Sequence, residues 1–175
     1  VWGSLGAARS SLEAARRYSM ERIQFGRPIA GFQLTQAKLA NMATELQLGQ
    51  LLALHLGRRK DTVGLRPEQV SVGKYNNITK SLEICRTART ILGANGVSGE
   101  YPVMRHANNL ESVLTYEGPV EMHPLVTGQA LTGESAQERA QPEPPLGVEA
   151  VGGLVEDEDL GVAEQSGGEC EALLH

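Results

Sequence analysis

Cysteine is scarce in this 175-residue chain: Cys85 and Cys170 stand alone in their segments, with no C-x-x-C spacing. That argues against a disulfide framework and against a zinc site. Aromatic residues are few as well, and all seven (Trp2, Tyr18, Phe25, Phe32, Tyr75, Tyr101 and Tyr116) lie before residue 134. A core is therefore expected in the first segment only. No apolar run is long enough to cross a bilayer. Strand-like alternation is essentially absent. No signal peptide is visible, and the chain begins at Val1 rather than Met. The expectation is a piece of a longer protein, with any targeting segment elsewhere.

Charge divides the chain in two. Residues 1–133 carry 15 Lys+Arg against 10 Asp+Glu, a balance of +5, whereas residues 134–175 set Arg139 alone against 11 acids, a balance of −10. The second segment also holds Gln141-Pro142-Glu143-Pro144-Pro145, the glycine pairs 152–153 and 167–168, and the acidic run Glu156-Asp157-Glu158-Asp159. High net charge without aromatics predicts a disordered, solvated tail. The expected organisation is a helical bundle over 1–133 and an acidic Gly/Pro-containing tail over 134–175.

Helical spacing dominates the first segment. Leu5, Ala8, Leu12, Ala15 and Met20 recur at roughly helical intervals from about Ser4 to Gln24. Phe25-Gly26-Arg27-Pro28-Ile29 should end that helix, because the residue before a proline is pushed out of helical geometry. A second helix is expected from about Phe32–Gln33 to Lys60. Its leucines Leu34, Leu46, Leu48, Leu51, Leu52 and Leu54 cover more than one face, so it is expected to lie centrally. Pro67 suits the start of a third helix with Glu68 in its first turn, running to Leu92. Gly93-Ala94-Asn95-Gly96 then stops it. A fourth helix is expected from about Pro102 to Tyr116 and a fifth from Pro119 to Leu131. The fold class is all-α, an antiparallel helix bundle.

His55, His106, His123 and His175 show no metal-ligand spacing and read as structural or exposed. Arg58-Arg59-Lys60 reads as a helix-end cluster, without the aromatic interleaving of a nucleic-acid surface. The turn at Gly93 is not a phosphate-binding P-loop, since no Gly-Lys-Ser/Thr follows. Glu117, between Tyr116 and the helix-breaking Gly118-Pro119, reads from spacing alone as an exposed carboxylate at a helix–helix corner.

Two motifs give that corner more meaning. His106-Ala107-Asn108-Asn109-Leu110-Glu111 leads into Thr115-Tyr116-Glu117-Gly118, and Arg22-Ile23-Gln24-Phe25-Gly26-Arg27-Pro28-Ile29 precedes Gln33. Together, with Trp2-Gly3 at the start and Gly128-Gln129-Ala130-Leu131-Thr132-Gly133 at the close, they resemble the C-terminal helical domain of the acyl-CoA dehydrogenases. The glutaryl-CoA dehydrogenase branch is the nearest in pattern. The resemblance implies that Glu117 is the base that removes the α-proton of an acyl-CoA, with FAD accepting the β-hydride. It implies that Arg22, Phe25, Gln33, Thr90, Gly93 and Ala94 contact FAD. A guanidinium's fixed fork of donors suits the pyrophosphate oxygens. Gly118 would leave room for the acyl chain. The backbone N–H of Glu117, with a flavin hydroxyl, would stabilise the thioester oxygen as it gains charge.

Two positions depart from the family pattern. Ala94 replaces a glycine in the turn that approaches a neighbouring subunit's flavin, and Pro119 replaces a threonine whose hydroxyl helps hold FAD. The resemblance further implies a homotetramer, electron-transfer flavoprotein as electron acceptor, and no nucleic-acid partner. It implies a soluble, intracellular enzyme, cytoplasmic in a bacterium and in the mitochondrial matrix of a eukaryote. The isolated piece is expected to be inactive. The rival reading is a non-catalytic helical oligomerisation and interaction module derived from the same family.

Overall fold

The computed structural model describes residues 1–134. The tail features expected beyond them, including the proline cluster, the acidic run, Cys170 and His175, lie outside the described residues. Five helices follow in order: α1 Trp2–Glu21, α2 Gln33–Thr62, α3 Pro67–Leu92, α4 Val103–Thr115 and α5 Met122–Thr132. Short connections force sequence neighbours to run antiparallel. Contacts along α3 confirm the directions. Gly49, Leu56 and Arg59 of α2 meet Asn77, Gly73 and Gln69, in descending order. Ser4 and Ser11 of α1 meet Asn77 and Cys85, in ascending order.

The helix starts and stops follow local chemistry. Pro67 occupies the first helical position of α3, and the Gln69 Oε1 accepts the Arg66 backbone N–H at 3.1 Å, closing the entry turn. At its far end α3 gives way to a 3-10 turn, Gly93–Val97, through Gly93 at φ +60°. Between α1 and α2 the chain makes a two-residue antiparallel ladder, Ile23–Gln24 against Arg27–Pro28. Two residues are too few to show alternation in a sequence.

The centre of the bundle is α3, not α2 as the leucine count suggested. α3 packs against all four other helices and buries eleven residues, among them Asn77, Ile78, Leu82, Cys85 and Leu92. α2 buries four. Its Leu34, Leu48, Leu51 and Leu54 face outward, Leu34 being 80 % and Leu51 63 % exposed. Small residues such as Gly73 and Ala88 let α3 lie inside, and its buried amide is satisfied there, although the buried Ser81 hydroxyl has no partner among the described residues. A polar side chain can enter a core when hydrogen bonded, and Asn77 Nδ2 donates to the Gly49 carbonyl at 2.9 Å. Ser11 and Cys85 pair at 3.2 Å between α1 and α3. Burial pushes the Cys85 thiol up, so it remains protonated.

Gly49 sits where α1, α2 and α3 converge. A Cβ there would come within 2.7 Å of Leu5 Cδ2 and 3.1 Å of Asn77 Oδ1, whereas a Cβ at Gly57, two turns on, would meet nothing within 4 Å. Gly49→Ala is expected to lower stability by about 1–3 kcal/mol through overpacking. Gly57→Ala is expected to raise it by about 0.5–1 kcal/mol through the loss of glycine's unfolded freedom. Urea midpoints of the two variants check both signs.

Candidate functional site

Glu117 lies on the corner between α4 and α5, exposed, with its backbone in left-handed geometry at φ +52°; Gly118 follows at φ +91°. Left-handed backbone is uncommon for a residue with a side chain and marks a site worth explaining. The two left-handed residues reverse the chain, and Val120 N–H then donates back to the Leu114 carbonyl at 3.0 Å. This displaces the expected start of α5. Pro119 is not its first helical residue: helix begins at Met122, whose N–H donates to the Pro119 carbonyl at 2.9 Å. Pro119 therefore closes the corner instead of opening the helix.

A residue that the sequence reading passed over holds the corner in place. Lys74 of α3 donates from Nζ to the carbonyl oxygens of Tyr116 (2.5 Å), Glu117 (2.7 Å) and Gly118 (3.1 Å). Its ammonium also stands 5.6 Å from the centroid of the Tyr116 ring. Beneath the corner lies the His123 ring, and a Cβ on Gly118 would stand in van der Waals contact with it, 3.4 Å from its Cε1. His123 is buried, and its Nε2 has no hydrogen-bond partner among the described residues. No spacing rule links Lys74 to residues 43 positions away. Only the packing of α4 along α3 brings them together.

The expected cofactor contacts fall in two other places. Phe25 and Gln33 line one groove of about 720 Å³ with Arg27, Phe32 and Thr35. Phe25 is 92 % exposed, and its ring meets that of Phe32 edge-on at 6.2 Å, while the Arg27 guanidinium lies 4.2 Å over Phe32. Arg22 precedes this hairpin and is exposed, with no ion pair among the described residues. Aromatic faces with the Arg27 guanidinium are of a kind that suits a flavin carrying phosphates, whereas Arg22 does not line this groove.

Thr90 lines a second groove, of about 540 Å³, between α2 and α3. Its hydroxyl donates to the Arg86 carbonyl at 3.0 Å. Gly93 and Ala94 follow on the exposed turn, which Asn95 ties to the Tyr18 hydroxyl at 3.1 Å. Sixteen residues of α3 separate Lys74 from Thr90, about 24 Å at the helical rise. The corner and the Thr90–Ala94 turn are thus at opposite ends of one helix. Neither of these two grooves is lined by Glu117.

Both grooves open to solvent, and an exposed carboxylate stands at one end of the domain. A helical domain of this design is what the comparisons identify. The family model for the acyl-CoA dehydrogenase C-terminal domain matches residues 1–132, and the chain belongs to that family. It is similar to the glutaryl-CoA dehydrogenase of Mycobacterium smegmatis, whose crystal structure superposes with a TM-score of 0.76 at 67 % identity, over 77 % of this chain and 35 % of that one. It is 35 % identical over 125 residues to the glutaryl-CoA dehydrogenase of Desulfococcus multivorans, covering 71 % of this chain and 32 % of the relative. A 3-(aryl)acrylate reductase of Clostridium sporogenes is 32 % identical over 128 residues, 73 % of this chain and 34 % of the relative. The chain spans about a third of the length of these relatives. No helix among the described residues is long and apolar enough to cross a membrane.

Gly118 is constrained by its backbone. Alanine there would bear left-handed backbone strain, with its Cβ in ordinary contact with the His123 ring. Gly118→Ala is expected to cost about 1–3 kcal/mol, read as a lowered thermal midpoint.

Proposed function

We propose that residues 1–133 are the C-terminal helical part of an FAD-dependent acyl-CoA dehydrogenase, with Glu117 as the base. The observation that carries this reading is the corner itself. It offers an exposed carboxylate and, on the same residue, a backbone N–H that no backbone carbonyl accepts among the described residues. A base for an α-proton and a donor for the thioester oxygen belong side by side, because deprotonation moves charge onto that oxygen.

In this reading Glu117 takes the α-proton of the bound thioester while its own N–H meets the carbonyl oxygen. Gly118, lacking a side chain, leaves room for the acyl chain. FAD, when bound, supplies the acceptor for the β-hydride. Arg22, Phe25 and Gln33 would hold it from the hairpin side. Thr90, Gly93 and Ala94, at the far end of α3, would serve the flavin of a neighbouring subunit, and Pro119 would stand beside the flavin without the hydroxyl of a threonine. The outward leucines of α2 support a homo-oligomer, since an apolar stripe of this kind gains from being covered.

Similarity to the two glutaryl-CoA dehydrogenases favours glutaryl-CoA as substrate, with loss of CO₂ to give crotonyl-CoA and electrons passing to an electron-transfer flavoprotein. A second glutaryl-CoA dehydrogenase of M. smegmatis, 57 % identical to this chain, has been crystallised in complex with FADH2. The isolated chain would be inactive, because it spans about a third of its relatives. The α2 stripe equally suits the rival reading, a non-catalytic oligomerisation module.

Glu117→Gln decides between them. In the complete enzyme it is expected to lower the rate with glutaryl-CoA at least about 100-fold, with the flavin spectrum unchanged. A near-normal rate would reject Glu117 as the base, and a wild-type enzyme inactive in both directions would favour the module. Pro119→Thr probes the cofactor side. Regaining one neutral hydrogen bond is worth about 1 kcal/mol, so FAD should bind about fivefold more tightly. Flavin absorbance retained on dilution measures it, and unchanged binding would remove position 119 from the flavin's surroundings.

A further inference from the structure

The three carbonyls gathered by Lys74 have a consequence for the atoms on the other side of the chain. In a planar trans peptide the C=O and N–H point in opposite directions. The Tyr116 carbonyl and the Glu117 N–H belong to one peptide unit, and the Glu117 carbonyl and the Gly118 N–H to the next. Because both carbonyls point at the Lys74 ammonium, both N–H groups point away from it. Neither N–H has a backbone acceptor among the described residues. Successive N–H groups turned the same way form a small anion-facing concavity, and left-handed residues are how a chain builds one.

We propose that Lys74 is a positioning residue for the reaction at Glu117. Its ammonium clamps the carbonyls of residues 116–118, and thereby presents the Glu117 and Gly118 N–H groups as a pair to the thioester oxygen and fixes the backbone that carries the Glu117 carboxylate. Lysine suits the task, since an ammonium carries three donors on one atom and three convergent carbonyls need three. An arginine's donors are spread over a planar fork and cannot converge in this way. Without the clamp, three carbonyl dipoles converge on one point with nothing to neutralise them, and the left-handed pair at Glu117 and Gly118 loses its support. The inference rests on the proposed role of Glu117, but the clamp can be tested apart from it.

Two measurements on Lys74→Met and Lys74→Arg, made in the complete flavin-loaded enzyme, test it. The first is amide hydrogen exchange at Val120, whose N–H closes the corner onto Leu114. Lys74→Met is expected to speed it about tenfold or more while the amides of α1 and α2 are unchanged, as for a local opening. The second is steady-state kinetics. Lys74→Met is expected to lower kcat about 10- to 100-fold, the cost of a misplaced reacting group, with KM and flavin content within about twofold. Lys74→Arg, which keeps the charge and a long stem should the methionine variant fail to fold, is expected to fall between the two. Unchanged Val120 exchange would overturn the clamp whatever the activity. Faster exchange with unaltered kcat would overturn its role in the reaction, and full recovery by arginine would show that charge alone suffices. If the wild-type enzyme dehydrogenates no acyl-CoA, the reading of Glu117 fails, and with it the positioning role, while the exchange result still judges the clamp.

Discussion

One hydrogen bond between two helices sets the geometry on which the rest of this domain depends. Asn77, fully buried in the middle of α3, donates to the carbonyl of Gly49 in α2. Ser4 of α1 reaches the Asn77 carbonyl at 3.4 Å from the other side. A buried amide must find partners or lose the free energy of its lost hydration. The Asn77 Oδ1 accepts from its neighbour Asn76, but its Nδ2 depends on the register that brings Gly49 of α2 opposite it. Apolar contacts alone would tolerate neighbouring registers, because they are non-directional. The polar junction selects one, and Gly49 lets the helices close to that distance.

That register reaches the candidate site through α3. Lys74 lies one turn before Asn77 on the same helix, so locking Asn77 also fixes the height at which the ammonium meets the end of α4. α4 is held along α3 by the apolar cluster of Leu82, Cys85, Ala107 and Leu110, and at the surface by the pair Arg86–Glu111. That exposed pair contributes little stability, whereas the apolar contacts place α4 against its partner. His106 adds a link to Ser10 of α1 at 3.1 Å. The Glu117 corner is therefore not a free loop. It is a helix end delivered to a fixed cation.

Much of this could be read along the chain. The helices stop where glycine, proline and local capping say they should, within a few residues: Pro67 opens α3, Leu92 closes it, and the hairpin after α1 falls on Phe25–Pro28. The fifth helix was the exception. Pro119 is a good helix opener in isolation, but the corner needed residues 116–121 to reverse direction and to tie Val120 back to α4. The central helix was also misjudged. Leucines suggested α2, yet α3 lies inside, where Asn77 is hydrogen bonded and small residues such as Gly73 and Ala88 pack closely, and the α2 leucines are left facing outward.

Periodicity, helix punctuation and the two family motifs were sufficient, by themselves, to determine an all-helical bundle, its segment order, and Glu117 as an exposed carboxylate on a corner. These are local properties, set by backbone sterics and by the spacing of apolar residues within one or two turns. The tertiary structure alone decided which helix is central, that Lys74 gathers the carbonyls of Tyr116, Glu117 and Gly118, and that His123 lies beneath Gly118. It also decided that the hairpin groove and the Thr90–Ala94 turn are separate surfaces. Each of these joins residues far apart in the chain. Such contacts depend on how rigid helices cross and slide against one another, and no pattern within a single helix encodes that.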